Sequence, residues 1–314
     1  MNGAEPLFRS GFVTLVGRPN VGKSSLVNAI VGSKVAITSS RPQTTRTTVR
    51  GVRTTPESQL VLLDTPGLHK PRTALGERTN QRARDSLSEV DAVCVLVEAT
   101  APLGRGDRFV SELVRAVDTP RLLVVNKVDA ASSAAVGEHL AAADALLGGP
   151  FDAYVPCSAK TGEGVDVLVA ELEARLPEGP QYYPDGIVTD QPEMFIAAEL
   201  LREQLLRVTH DEVPHSISVS CRLLDEDDED DGGDRPAGEH DPDDVLRLLA
   251  TVRVERDSQK GIVIGRGGAV MKQAATAARL ALESLLGCRV YLECRVKVER
   301  DWQRRPQSLD RMGY

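Results

Sequence analysis

Short apolar runs alternate with longer amphipathic segments over residues 12–176. The apolar runs predict six strands, at residues 12–17, 48–54, 60–64, 91–97, 121–126 and 152–156. The segments between them predict helices at about 23–31, 78–88, 106–117, 134–147 and 164–175. Strands that alternate with helices are typical of an α/β fold with a mostly parallel, doubly wound sheet, in which ligands bind at the carboxyl ends of the strands.

A second pattern begins after residue 193. Frequent proline and glycine in residues 177–193 predict a linker. The elements predicted beyond it are a helix 194–209, strands 215–223 and 246–255, a short helix at about 258–264, a helix 269–286 and a strand 289–299. We therefore expect an N-terminal tail 1–10, an α/β domain 11–176, the linker, an α+β domain 194–300 and a C-terminal tail 301–314.

Composition is that of a soluble globular protein, with 41% hydrophobic and 27% charged residues. No apolar run approaches the roughly 20 residues of a membrane span, and residues 1–10 lack the pattern of a secretion signal. The five cysteines form no C-x-x-C pair, so we expect reduced thiols and no zinc. These features favour a cytoplasmic location.

Charge is distributed unevenly along the chain. Residues 225–244 hold twelve Asp or Glu against one Arg. This segment alone is therefore more negative than the whole chain, whose net charge is −8. We interpret this acidic insert as a disordered loop between two strands. Residues 245–314 carry 14 basic and 7 acidic side chains, and a basic surface attracts polyanions.

A phosphate-loop motif, G-x-x-x-x-G-K-S, stands between the first predicted strand and helix. Its residues are Gly17, Arg18, Pro19, Asn20, Val21, Gly22, Lys23 and Ser24. The glycines let backbone N–H groups approach phosphate oxygens, and the following helix adds its positive end. Lys23 can reach the β- and γ-phosphates, and Ser24 can bind Mg²⁺. The alternative is a glycine-rich turn with a chance lysine.

A second motif follows the strand predicted at 60–64, and it consists of Asp64, Thr65, Pro66 and Gly67. An aspartate at this position can hold Mg²⁺, and the Gly67 N–H can face a γ-phosphate. Thr-Pro-Gly is otherwise an ordinary turn.

A guanine-recognition motif follows the strand at 121–126, and it consists of Asn126, Lys127, Val128 and Asp129. The Asp129 carboxylate can accept two N–H bonds from guanine, which adenine does not offer. Asn126 can tether loops, and the Lys127 stem can cover the base. After the next strand come Ser158, Ala159 and Lys160, whose backbone can meet the guanine oxygen.

These ordered motifs match those of the translation-factor-like GTPases, and a nucleotide-independent Rossmann-like domain is the runner-up. The first switch segment then lies between Ser39 and Thr48, where we favour Thr45 over Thr44 as the Mg²⁺-binding threonine. Leu68 occupies the position at which many GTPases carry a water-positioning glutamine. The chain is therefore similar to hydrophobic-substituted GTPases with slow intrinsic hydrolysis.

Asn20 resembles the asparagine that helps to hold K⁺ in several relatives. A cation there would offset transition-state charge. A loop-stabilising role for Asn20 is equally open.

A G-x-x-G motif joins two predicted helices in the basic C-terminal part. Its glycines let backbone approach a sugar–phosphate chain, as in a type II K-homology (KH) module that clamps single-stranded RNA. The candidate RNA-binding residues are Lys260, Ile262, Ile264, Gly265, Arg266, Gly267, Gly268 and Lys272. A dinucleotide fingerprint, which would need a third glycine, and a plain helix–helix turn are the alternatives.

The four GTPase motifs, the G-x-x-G motif and the ending 309–314 together resemble the Era family over roughly residues 10–314. The resemblance implies Mg²⁺-dependent GTP hydrolysis, in which Lys23, Thr45, Asp64 and Gly67 take part. It implies a monomer that binds the 3′ region of 16S rRNA and assists processing and assembly of the 30S ribosomal subunit.

Two questions stay open within this resemblance. Some relatives also associate peripherally with the cytoplasmic membrane, so the alternative is a membrane-associated signalling or cell-cycle GTPase whose KH module binds protein. The acidic insert departs from the family, and we favour an inert loop over an RNA mimic that shields the basic surface.

Overall fold

A six-stranded sheet organises the N-terminal part of the chain. The computed structural model describes residues 7–68, 71, 73–224 and 245–314; residues 1–6 and the predicted acidic insert 225–244 lie outside this description. The strands are β1 (Arg9–Gly17), β2 (Val49–Thr54), β3 (Ser58–Asp64), β4 (Ala92–Glu98), β5 (Arg121–Asn126) and β6 (Ala153–Pro156). Their order is β2-β3-β1-β4-β5-β6, and only β2 is antiparallel to its neighbour.

Helices cover both faces of this sheet, as expected. They are α1 (Lys23–Val31), α2 (Ala74–Asp85), α3 (Arg105–Val114), α4 (Ser133–Leu147) and α5 (Val165–Glu173). Alternate residues of β4 enter two different clusters: Cys94 packs with Leu26 and Leu168, whereas Val95 packs with Val110 and Ala143. A strand buried on both faces is apolar throughout, which is why its sequence is a continuous apolar run.

Part of the predicted linker packs along the first unit, which comprises residues up to Asp190 together with Tyr314. The Ser10 N–H donates to the Pro177 carbonyl at 3.1 Å, and the Val52 N–H donates to the Val188 carbonyl at 2.8 Å. Val52 belongs to the edge strand β2, whose open backbone groups need partners. This segment therefore packs along the edge of the sheet at β2 and is not a free linker.

The second unit, residues 191–313, has its own three-stranded sheet of order β7-β8-β9. Its elements are α6 (Glu193–Val208), α7 (Val213–Ser216), β7 (Ser218–Leu223), β8 (Val245–Val254), α8 (Asp257–Ile264), α9 (Ala269–Leu286), β9 (Arg289–Val298) and α10 (Pro306–Arg311). Strand β8 pairs antiparallel with β7 and parallel with β9. The core joins Leu201 and Leu205 of α6, Val252 of β8 and Ala278 of α9.

Two segments of the second unit differ from the sequence-based expectation. The strand expected at 215–223 begins only at Ser218, because residues 213–216 form the short helix α7, which has Pro214 in its first turn. Residues 301–314, expected as a tail, contain a 3₁₀ turn and α10. Trp302 is fully buried, and its indole N–H donates to the Ser216 carbonyl at 2.9 Å. Within the described ranges, no helix combines the length and apolarity needed to cross a bilayer.

Candidate functional site

The phosphate loop connects β1 to α1 at the carboxyl edge of the sheet. It borders a cavity of about 420 Å³ that is also lined by the segment 37–45, by Gly67 and by Lys127. Gly22 has a φ of 99°, and a Cβ at this position would lie 2.3 Å from Asn126 Nδ2. Both the backbone conformation and the close approach therefore require glycine here.

Lys23 is buried at the first turn of α1. Its Nζ donates to the carbonyls of Gly17 at 3.3 Å and Arg18 at 3.2 Å. Burial lowers the pKa of Lys23 to about 8, and nearby Asp64 opposes this shift. A phosphate group in the loop would favour the charged form of Lys23 in the same way.

Three oxygen atoms converge beside Lys23. Ser24 Oγ donates to Asp64 Oδ2 at 2.6 Å, Thr45 Oγ1 donates to the same oxygen at 3.1 Å, and the two hydroxyls lie 3.0 Å apart. Within the part of the chain that the structure describes, buried Asp64 Oδ1 has no hydrogen-bond partner. Burial raises the pKa of Asp64, against the effect of these hydrogen bonds and Lys23. A cluster of oxygens with one unsatisfied carboxylate atom suits a hard cation such as Mg²⁺.

Asn126 ties two loops together at the end of β5. Its Nδ2 donates to the Val21 carbonyl at 2.9 Å, and its Oδ1 accepts the Ala159 N–H at 3.0 Å. The buried Asn126 amide therefore holds the phosphate loop next to the loop that follows β6.

Asp129 lies in a 3₁₀ turn, Val128–Ala130, directly after the cavity-lining Lys127. Ser158 Oγ donates to Asp129 Oδ1 at 2.6 Å, and Lys160 Nζ lies 3.9 Å from Oδ2. The carboxylate is thus held at the loop edge with a fixed orientation. Such an acceptor is suited to paired N–H donors on a base.

Several predicted site residues contribute structure instead of lining the cavity. Arg18 Nε donates to Asp107 Oδ1 at 2.7 Å, and Arg18 also pairs with Glu98, so its side chain fastens the phosphate loop to α3. The Thr65 hydroxyl donates to the Leu15 carbonyl at 2.7 Å. Val21 and Leu68 are buried in the two cores of the sheet.

The sequence analysis missed Glu98, which also pairs with Lys127. Its position at the end of β4, on the same sheet edge as the other motifs, is the signal that could have identified it.

The phosphate loop also contacts the segment 39–48. Asn20 has a φ of 68°, and its Nδ2 donates to the Ser40 carbonyl at 2.8 Å. Gly67 approaches the phosphate loop so closely that a Cβ would lie 2.9 Å from Pro19 Cα. The predicted first switch segment and the Asp64–Gly67 motif are therefore both in direct contact with the phosphate loop.

The G-x-x-G motif forms a tight connection between α8 and α9. Gly265 has a φ of 76°, and a Cβ there would lie 2.8 Å from the Val270 nitrogen. Gly267 and Gly268 also have positive φ, but both face open space. The surrounding candidate residues that are exposed are Ile262, Arg266, Gly267 and Lys272, whereas Lys260, Ile264, Gly265 and Gly268 are partly buried. Bare backbone, cations and apolar side chains thus share one surface, which suits a nucleic-acid strand.

The sheet, the phosphate loop and the ordered motifs define a P-loop GTPase domain, and the second unit is a type II KH domain. Comparisons with known families agree: the model for 50S ribosome-binding GTPases matches residues 12–127, and the KH domain model matches residues 240–303.

Relatives match the whole chain. GTPase Era of Mycobacterium sp. (strain JLS) is 49% identical over 98% of this chain and 99% of its own length, and that of Mycolicibacterium smegmatis is 48% identical with the same coverage. The crystal structure of an Era in complex with MgGDPNP and nucleotides 1506–1542 of 16S ribosomal RNA superposes with a TM-score of 0.88, at 35% identity over 98% and 99% of the two chains. The chain belongs to the Era family of GTPases, as the sequence motifs predicted.

Proposed function

We propose that this GTPase is a nucleotide-controlled switch that binds the 3′ region of 16S rRNA and assists processing and assembly of the small ribosomal subunit. The observation that carries the proposal is the presence, in one chain, of the converging Ser24, Thr45 and Asp64 oxygens and of the exposed glycine loop 265–268. A full-length structural relative holds both MgGDPNP and a 16S rRNA segment, which supports it.

The nucleotide chemistry follows from the geometry of the site. Ser24, Thr45 and Asp64 would hold Mg²⁺, which supplies charge compensation on the phosphate oxygens. Lys23 and the backbone N–H groups of the loop bind the β- and γ-phosphates, and the Gly67 N–H faces the γ-phosphate. Asp129 selects guanine. Water attacks the γ-phosphate, and the phosphate is released to leave GDP.

The side chain after Gly67 does not position this water. Leu68 is buried in the same core cluster as Val16 and Val93, and an aliphatic side chain offers no hydrogen bond. Intrinsic hydrolysis is therefore slow, and the alignment of water depends on other groups of the site.

The KH loop gives the first prediction. Replacing Gly267 and Gly268 with Asp is expected to weaken binding of a short single-stranded RNA from the 3′ end of 16S rRNA about tenfold or more, because two carboxylates would face the phosphate backbone. Binding is measured by fluorescence anisotropy with GDP and with a non-hydrolysable GTP analogue. The wild-type chain is expected to bind more tightly with the analogue.

A matched control lies at the other end of α9. Gly287 has a φ of 70° and faces open space, as Gly267 and Gly268 do, but the 18-residue helix puts it about 27 Å from the loop. Gly287→Asp should leave RNA affinity unchanged. Equal losses in both variants would show a general charge effect. Wild-type protein that binds no RNA in either nucleotide state would instead favour the signalling alternative, in which the KH domain binds protein.

Potassium gives the second prediction. We propose that Asn20, which bridges to Ser40, helps to hold K⁺ beside the phosphates in the GTP-bound state. Hydrolysis by the wild-type chain is then expected to be at least about tenfold faster in KCl than in NaCl, and Asn20→Ala should remove the difference. Single-turnover rates in the two salts test this. Equal wild-type rates would leave Asn20 with the loop-stabilising role alone.

The finer parts of the proposal are a cytoplasmic location, which the composition also favours, and a monomeric state and peripheral contact with the cytoplasmic membrane, which the family resemblance alone supports.

A further inference from the structure

Tyr314, which belongs to the first unit, lies at a cluster of arginines. The Arg46 guanidinium carbon lies 5.8 Å from the centroid of the Tyr314 ring, and Arg46 Nη1 lies 3.4 Å from its hydroxyl. Arg78 Nη1 donates to the main-chain oxygen of Tyr314 at 2.7 Å. The ring face, the hydroxyl and the main-chain oxygen are thus all used by two cations.

These arginines lie in the predicted first switch segment and in the helix that follows the Asp64–Gly67 motif. Arg46 is buried and directly follows Thr45, whose hydroxyl lies against Ser24 and Asp64. Arg78 lies on α2, the helix after the Asp64–Gly67 motif. Arg82, also on α2, donates to the Arg46 carbonyl at 3.4 Å. Tyr314 therefore contacts both segments at the point where they meet.

The charges of the arginines explain why Tyr314 can stabilise the contact between the segment 39–48 and α2. Arg46, Arg78 and Arg82 bring three positive charges together, and burial together with nearby Arg78 lowers the pKa of Arg82. A tyrosine offers such cations the negative face of its ring and two oxygen acceptors. The contacts of Tyr314 therefore favour the arrangement in which the segment 39–48 lies against α2.

We propose that Tyr314 is a positioning residue of the GTPase site, which holds Arg46 and α2 so that Thr45 stays beside Ser24 and Asp64. The inference rests on the proposed function, since it takes Thr45 as the residue that meets the ion in the GTP-bound state. Tyr314 is not among the residues that line the cavity at the phosphate loop, and it acts through Arg46. Its effect should be confined to the nucleotide state in which Thr45 is engaged.

The test measures Mg²⁺-dependent affinities of the full chain for a non-hydrolysable GTP analogue and for GDP. Tyr314→Ala is expected to weaken analogue binding about three- to tenfold, the loss of one partly buried cation–π contact, and to change GDP binding less than about twofold. Tyr314→Phe keeps the ring and the main-chain oxygen, so it should restore most of the analogue affinity. Amide hydrogen exchange in residues 43–48 should become faster in Tyr314→Ala with the analogue bound.

Tyr291 supplies a matched control, because the Arg247 guanidinium carbon lies 5.6 Å from its ring centroid. Tyr291→Ala removes an equivalent contact in the second unit and should alter neither affinity. Arg46→Ala should reproduce the loss seen in Tyr314→Ala, and the double variant should lose no more than either single variant.

An unchanged ratio of analogue to GDP affinity in Tyr314→Ala would overturn the inference while leaving the GTPase assignment intact. Additive losses in the double variant would also overturn it. A wild-type chain that binds neither nucleotide would instead overturn the proposed function.

Discussion

Asp129→Asn is expected to lower the affinity for GTP by about a hundredfold or more and to raise the affinity for xanthosine triphosphate. The Asp129 carboxylate is oriented by the Ser158 hydroxyl at 2.6 Å, and it can accept both N–H groups of guanine. An asparagine amide keeps one acceptor oxygen but replaces the other with an NH2 group, so the amide N–H and one guanine N–H face each other as two unpartnered donors. Each buried donor left without a partner costs about 1–3 kcal/mol, so two of them give roughly a hundredfold loss or more.

Xanthine carries a carbonyl in place of the 2-amino group of guanine, so the asparagine amide can donate to it. Titration of each variant with fluorescent GTP and xanthosine triphosphate measures the reversal. Lys160→Ala is the control, because Lys160 is 84% exposed and its Nζ is 3.9 Å from the same carboxylate. Exposed ion pairs contribute little, so its effect should stay below about threefold. An Asp129→Asn variant that still prefers GTP would place the base elsewhere.

The placement of the candidate nucleotide-site residues was largely predictable because they follow the ends of neighbouring parallel strands. Asp64, Asn126 and the phosphate loop are far apart in sequence, yet parallel strands bring their carboxyl ends to one edge. The structure shows the expected meeting of Ser24, Thr45 and Asp64 within hydrogen-bond distance. Local pattern and topology together were sufficient here.

Contacts that depend on single side chains were not predictable in this way. The segment 301–314 is dominated by polar residues and therefore resembles a tail, but one buried aromatic, Trp302, fixes the beginning of this segment to the second unit. Arg18 is part of the phosphate-loop motif, but its side chain pairs with Asp107 on the distant helix α3. Neither pairing leaves a periodic signal in the sequence.

The segment after Pro177 shows a further limit. Its prolines and glycines indicate the absence of helix and regular strand, which is correct for residues 177–190. Composition does not reveal that the same segment hydrogen-bonds to β1 and β2. Such long-range backbone pairing follows from the open edge of the sheet and is known only once the topology is known.

Asp64→Asn is expected to reduce Mg²⁺-dependent GTP hydrolysis by about a thousandfold, the second large effect. The amide can still accept from Ser24 and Thr45, so the local geometry survives. The negative charge that would hold Mg²⁺ is lost, and metal-assisted stabilisation of the transition state is among the largest contributions to such reactions. Single-turnover hydrolysis across a Mg²⁺ titration measures the loss.

The thermal stability of the Asp64→Asn variant distinguishes a chemical role of Asp64 from a structural one. Burial raises the pKa of Asp64, so its charge is unfavourable in the metal-free fold, and Asp64→Asn should not lower the melting temperature without Mg²⁺. Asp91→Ala, which removes the acceptor altogether, is the contrasting control. Asp91 Oδ2 accepts the Phe12 N–H at 2.7 Å in the first half of β1, away from the site. Its loss should cost about 1 kcal/mol of folding free energy and leave hydrolysis unchanged. Hydrolysis that falls in both variants in proportion to their stability would make Asp64 a structural residue, whereas lost hydrolysis with retained stability assigns its carboxylate to the chemistry.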